Sequence, residues 1–259
     1  MDDLALALEL VEVADAITMD RFRADDLRVD TKPDLTPVTE ADKAVEQALR
    51  ERLAALRPDD AVLGEEFGSS QENSRRRWII DPIDGTKGYV RGLPAWATLL
   101  ALEEEGEIVV GAVSAPALQR RWWAGRGEGA FVADALADGP RPLQVSAVQA
   151  LEDAQVSYGG LAEWSKIGQL QKLLNLAARC WRTRAFGDAW SYMLVAEGAA
   201  DIGGLEPRVT LWDLAAPLVI VEEAGGRFTD LHGARRPDGG SGLATNGLLH
   251  EATLEIVGL

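Results

Sequence analysis

The segment WIIDPIDGTKGYV, residues 78–90, constrains this chain more tightly than any other. Its apolar start reads as a strand that Pro82 interrupts, because proline has no N–H to donate and disfavours helix for Asp81. Asp81 and Asp84 can then converge on one point at the strand end, with a backbone carbonyl between them also available. Several hard oxygen donors from one short loop suit Mg2+. Gly85 and Thr86 follow, and GTKGYV is expected to open a short helix whose free N–H groups form an anion site beside the metal. Metal and helix N-terminus together make a phosphate-binding arrangement.

Composition removes other chemistries. The only histidines are His232 and His250, which leaves little for a Ser-His-Asp triad, a phosphohistidine or a Cys/His zinc site. Cys180 is the only cysteine, and the sixth residue beyond it is Phe186 rather than the arginine of a cysteine-phosphatase loop. A single cysteine suits a reducing cytoplasm, the expected location. The formal charge of −16 argues against nucleic acid as a partner, and a small anionic substrate would need metal ions to reverse the field locally. No apolar run approaches the ~20 residues of a membrane span. The acidic start, MDDLALALELVEVADAI, reads as an amphipathic helix rather than a signal peptide. Carboxylates remain as the working groups.

With 259 residues the chain can form one large domain or two intimate lobes. Helical spacing covers residues 2–24, and Thr39 with Asp42 marks a capped second helix that ends near Pro58. DAVLGEEFG is a short strand entering acidic residues. From Trp78 to Phe131, strand-like runs alternate with Gly/Pro turns, which predicts a mostly antiparallel sheet. VADALADGPRPLQ reads as a loop between lobes, residues 1–139 and 140–259. WSKIGQLQKLLNLAARC, DAWSYMLVAEGAA and TLWDLAAPLVIVEEAGG read as helices, with ADIGGLE, GRFTDL and SGLATNG as strands and a helix at the end. Separate blocks of strands and helices favour a layered α/β or α+β fold.

Two further acidic clusters can complete the site. Glu65 and Glu66 follow a strand and Gly64, while Asp213 and Asp42 occupy first turns of helices, where a carboxylate also favours the dipole. Among 42 acidic residues, any one taken alone reads equally as a surface charge or a cap. Trp96, Trp122 and Trp123 read as core or sheet packing.

The ordered motifs PVTEADKAVE, LGEEFG, WIIDPIDGTKGYVRGLP and LWDLAAPLVIVEEAGG resemble the inositol monophosphatase family of metal-dependent phosphatases over nearly the whole chain. The resemblance implies an αβαβα five-layer sandwich, a homodimer, and two or three Mg2+ per site. It makes Glu65, Asp81, Asp84 and Asp213 metal ligands together with the Ile83 carbonyl. Asp42 and Thr86 would polarise the attacking water, with Glu65 among the catalytic groups, and Gly85 and Thr86 would cradle phosphate. The N-terminal lobe would hold most metal ligands, and the C-terminal lobe would complete the substrate pocket.

TKPDLTPVTEAD, VSAPALQRRWWAGRGEGAF, RAFGDAWSYMLVAEGAADI and LATNGLLH further resemble the actinobacterial-type histidinol-phosphatases of that family. The implied substrate, histidinol phosphate, carries an ammonium and an imidazole. Asp188 and Glu206 are therefore assigned to the substrate pocket with Asp84 and Arg184, against N-capping as the alternative for Asp188 and a surface charge for Glu206. Gly88 departs from the family's usual asparagine, and GGLEP looks one residue long, which bears on the register of Glu206. Inositol 1-phosphate, or a sugar or nucleotide phosphate whose second phosphate meets Arg91, Arg182 or Arg184, is the alternative substrate. A metal-binding regulatory protein is the remote one. A haloacid dehalogenase-type phosphatase needs one residue between its aspartates, and here there are two.

Overall fold

The computed structural model describes residues 1–33, 35–71 and 74–259. Helix α1 (Asp3–Arg21) starts on the Asp2 carboxylate, which accepts from Ala5 N at 2.7 Å. A hairpin of β1 (Val29–Thr31) and β2 (Pro37–Thr39) leads into α2 (Glu40–Leu56), capped reciprocally by Thr39 and Asp42. An eight-stranded sheet follows, made of β3 (Ala61–Gly64), β4 (Gly68–Ser69), β5 (Arg76–Asp84), β6 (Ala97–Glu104), β7 (Glu107–Ala115), β8 (Arg120–Gly125), β9 (Gly129–Asp134) and β10 (Arg141–Pro142). Its order is β10-β9-β8-β7-β6-β5-β3-β4, antiparallel except for the β3–β5 pair. The short helix α3 (Thr86–Val90) projects from the end of β5.

Period-two alternation sorts this sheet's side chains into two cores. On β6, Leu100 and Leu102 join α1 and α2 on one face, while Leu99 and Ala101 face the other. That second face packs on α6 (Asp188–Ala196) and α7 (Leu211–Glu223). Helix α7 buries every residue from Leu214 to Val221, as a helix between two layers must. Beyond it lies a five-stranded sheet of β11 (Gln155–Ser157), β12 (Arg182–Arg184), β13 (Ile202–Glu206), β14 (Arg227–Thr229) and β15 (Gly242–Thr245), in the order β12-β11-β13-β15-β14. Helices α4 (Leu161–Lys166), α5 (Leu170–Ala177) and α8 (His250–Val257) cover its outer face. The layers run αβαβα, as expected.

Several local expectations are corrected. The single helix expected over WSKIGQLQKLLNLAARC is two, α4 and α5, interrupted where Gly168 turns the chain at φ +70. The stretch VADALADGPRPLQ, expected to be a loop, contains the end of β9 and all of β10. Strands β1, β2, β11 and β12 were not expected: three residues show too little alternation to read, and their partners define them. The C-terminal sheet is mixed, with β11 parallel to both neighbours. Trp96 and Trp122 are core residues, as expected.

Candidate metal and phosphate site

Strand β5 ends in a bulge that sets two carboxylates side by side. Asp81 pairs with Leu99 and Asp84 with Ala97, so Pro82 and Ile83 together oppose Thr98 alone. Residues three apart on a regular strand point to opposite faces; the extra residue brings both aspartates to one. Thr98 Oγ1 donates to the Pro82 carbonyl at 2.8 Å and pins the bulge. Gly85 then turns the chain at φ +84, a conformation that suits glycine, and α3 begins at Thr86.

The remaining acids arrive from other elements. Asp213 closes a capping box at the start of α7: its Oδ2 accepts from Thr210 N at 2.6 Å and Thr210 Oγ1 at 2.7 Å. Ligand oxygens of Asp81, Asp84 and Asp213 all lie within 4.8 Å of one another. Glu65 follows β3, the parallel neighbour of β5, and takes the Lys32 ammonium at 2.7 Å. On α2, Asp42 spends Oδ2 on its own cap and turns Oδ1 toward Thr86 Oγ1 at 3.5 Å. Thr86 Oγ1 gives its one hydrogen to the nearer acceptor, the Ile83 carbonyl at 2.9 Å. The assigned metal ligands, together with Asp42 and Thr86, therefore converge at the ends of β3, β5, α2 and α7.

Electrostatics make this concentration costly without cations. Burial, then the charges of neighbouring acids, hold Asp81 and Asp84 well above the usual carboxylate range. Burial also raises Glu65 and Asp213 and pushes Asp42 up to about 6. Asp81 Oδ1 is buried with no hydrogen-bond partner, a donor atom that protein groups leave unsatisfied. An all-oxygen set of this charge fits a hard divalent cation of the Mg2+ type.

A second acidic pair continues the cluster. Asp188 opens α6 at φ +49, left-handed for a non-glycine, and makes no side-chain cap bond; the capping alternative does not hold. Its Oδ2 instead stands over Gly85, 3.2 Å from where a Cβ would sit, while Ala189 N donates to Asp84 Oδ2 at 2.5 Å. Glu206 ends β13 just past a register shift between Gly204 and Glu206, where the apparent extra residue of GGLEP is absorbed as a bulge. Burial, then the Asp188 charge, push Glu206 up to about 8. Burial, then Asp213, push Asp188 to about 6. Arg184 lies exposed on the edge strand β12 and bonds the Thr183 carbonyl at 2.8 Å; no described contact ties it to the carboxylates. A Cβ on Gly88 would meet only ordinary contacts at 3.7 Å, so packing does not demand glycine there.

Sequence reasoning assigned no role to Lys32, whose ammonium also meets Glu66 at 2.6 Å. It also missed Glu46, which is fully buried and accepts from Glu66 N at 2.7 Å and Phe67 N at 3.1 Å, with Arg50 Nε at 2.8 Å. Glu46 had a signal: it lies four residues after Asp42 on the same face of α2. Lys32 had none.

The chain also has relatives among known proteins. The chain is 57% identical over 255 residues to the histidinol-phosphatase of Mycobacterium tuberculosis, covering 98% of this chain and 96% of that one. It is 54% identical over 258 residues to the histidinol-phosphatase of Streptomyces coelicolor, with the same coverage. A solved IMPase from Thermotoga maritima superposes with a TM-score of 0.87 at 32% identity, over 99% of this chain and 97% of that one. A model of the inositol monophosphatase family matches residues 2–258, and the chain belongs to that family.

Proposed function

We propose that this protein is a cytoplasmic Mg2+-dependent phosphomonoesterase that hydrolyses L-histidinol phosphate to L-histidinol and inorganic phosphate. Its family is metal-dependent. The observation that carries the reading is that the buried acid cluster does not stop at Asp81, Asp84 and Asp213 but continues into Asp188 and Glu206. A phosphate ester bearing an ammonium and an imidazole matches those two extra carboxylates. A neutral polyol would leave them buried against one another. The name carried by the two relatives points the same way.

In this reading Glu65, Asp81, Asp84, Asp213 and the Ile83 carbonyl hold two or three Mg2+, which supply positive charge to the phosphate oxygens and acidify water. The chain's own groups do the rest. Backbone N–H groups at the start of α3, at Gly85 and Thr86, meet phosphate oxygens, since a helix leaves its first N–H groups unpaired. Asp42 Oδ1 and Thr86 Oγ1, facing each other at 3.5 Å, orient the attacking water. Asp42, raised to about 6, accepts its proton. The water oxygen bonds to phosphorus as the ester P–O bond breaks, and the leaving alkoxide takes up a proton from solvent water to become histidinol. Asp188 and Glu206 bind the cationic end. Lobes 1–139 and 140–259 each contribute to the site, and the protein works as a homodimer.

Phosphate release from L-histidinol phosphate and inositol 1-phosphate, side by side with Mg2+ and then with chelator, tests the reading. A preference for histidinol phosphate of at least about 10²-fold in kcat/KM, on the order of 3 kcal/mol, is expected. Equal or reversed rates refute the substrate; release that persists in chelator refutes the metal.

A further inference from the structure

Helix α6 buries Tyr192 in the layer between the two sheets, 1% exposed and 5.8 Å ring to ring from Phe228. A Cβ on Gly204 would stand 2.4 Å from its Cε1, and one on Gly242 would stand 2.3 Å from its hydroxyl oxygen. The ring therefore fits only because β13 and β15 present bare backbone to it. Its hydroxyl donates to Glu206 Oε2 at 2.8 Å. A phenylalanine would fill the same apolar space without the cost of burying a hydroxyl, so the oxygen is the feature that needs explaining.

Glu206 is the group that hydroxyl holds. It follows Gly204 at φ +72 and Leu205 at φ +54, and a left-handed leucine is a strained conformation of the kind concentrated at functional sites. The bulge in β13 brings the carboxylate within electrostatic reach of Asp84, Asp188 and Asp213. A glutamate side chain has three rotatable bonds. Beside several like charges it stays in place because donors hold it, the Tyr192 hydroxyl from behind and the Asp188 backbone N–H beside it.

We infer that Tyr192 is a positioning residue: its hydroxyl holds the Glu206 carboxylate in the orientation that receives the cationic end of the substrate. The inference rests on the histidinol phosphate reading above and adds the residue that makes the acidic pocket selective. Among the described residues the Tyr192 hydroxyl bonds Glu206 and none of the assigned metal ligands. Its removal should therefore act on binding of a cationic substrate and leave the hydrolytic step alone.

The test compares kcat and KM of the wild type, Tyr192→Phe, Glu206→Gln and the double variant on L-histidinol phosphate and on glycerol 2-phosphate, the phosphate of a neutral alcohol. Tyr192→Phe should raise KM for histidinol phosphate about tenfold more than KM for glycerol 2-phosphate, with similar kcat ratios for both. In the Glu206→Gln background the same change should add nothing to that selectivity, because the hydroxyl acts through Glu206. Equal KM changes on both substrates, or an undiminished effect in the Glu206→Gln background, would overturn the inference. Thermal melting of each variant identifies a loss of fold, which would appear as equal loss on both substrates and count against it. A wild type without preference for histidinol phosphate removes the parent reading and this one together. A wild type that prefers it, with a Tyr192→Phe variant of unchanged selectivity, removes Tyr192 alone.

Discussion

His250 makes acid stability a test of the hydrogen-bond logic in the C-terminal layer. The ring is fully buried at the start of α8, with Nε2 2.9 Å from Thr229 Oγ1 and Nδ1 3.0 Å from Thr245 Oγ1. Thr229 already donates its hydroxyl hydrogen to the Asp230 carbonyl at 2.7 Å, so it accepts from Nε2–H. Nδ1 is then the acceptor, and Thr245 donates to it. A second proton on Nδ1 would make the Thr245 hydroxyl turn its own hydrogen away and would place a charge in a dry layer. Burial, reinforced by Arg227, depresses the imidazole from its ordinary 6.5 to about 4. The folded state thus binds this proton more weakly than the unfolded chain. The stability it contributes is fully present above pH 6.5 and is lost as pH falls through 6.5 toward 4. At about 1.4 kcal/mol per pH unit the loss is about 3 kcal/mol. Urea unfolding of the metal-free protein between pH 4 and 8, for wild type and His250→Gln, isolates this group from the carboxylates, whose raised values act in the opposite direction. The difference between the two profiles should slope downward toward acid across that window. A flat difference, or an imidazole that titrates above pH 6 by NMR in the folded protein, would refute the tautomer argument.

Glu46→Ala removes the acceptor that fixes the Glu66 and Phe67 N–H groups, and should raise the Mg2+ concentration for half-maximal activity by about 10–100-fold while saturating Mg2+ restores most of kcat. An unchanged Mg2+ titration would exclude a role for Glu46 in holding the Glu65 turn. Asp84→Asn, which keeps an oxygen but removes the negative charge, should lower Mg2+-dependent phosphate release on the order of 10³-fold with the fold retained by circular dichroism; near-normal turnover would remove Asp84 from the ligand set. Gly111→Ala places a Cβ 2.5 Å from Val219 Cγ1 and 2.8 Å from the Ala216 carbonyl, where α7 rests directly on β7. The backbone cannot yield cheaply, so a loss of about 1–3 kcal/mol and a fall in Tm of a few degrees or more is expected by calorimetry; an unchanged Tm would contradict that packing.

Much of the site was legible because its signals are local. The apolar run, Pro82 and the two aspartates specify a strand end that must turn, and the Thr39–Asp42 pair specifies a cap whatever surrounds it. Periodicity located the long helices for the same reason, since apolar faces repeat within four residues. Short strands were missed where their identity comes from a partner: β12 is a strand only because β11 lies beside it. Asp188 illustrates the limit most directly. Its place before AWSYMLV is that of a cap, yet Gly187 stands at the cap position with no side-chain bond and the Asp188 carboxylate faces Gly85 instead.

By itself, the sequence determined the elements and the chemistry they carry: carboxylates at a broken strand, acids in helical first turns, an all-apolar helix fit only for an interior layer. These depend on neighbours within a few residues and survive in any context. The tertiary structure decided which carboxylates share a space. Asp213 and Asp81 meet because α7 is sandwiched between the sheets, Lys32 reaches Glu65 and Glu66 because the β1–β2 hairpin lies across them, and Glu206 is aimed by a bulge and by a tyrosine from another element. Distances between residues on separate elements follow from how layers pack, and packing is a property of the whole core rather than of any segment.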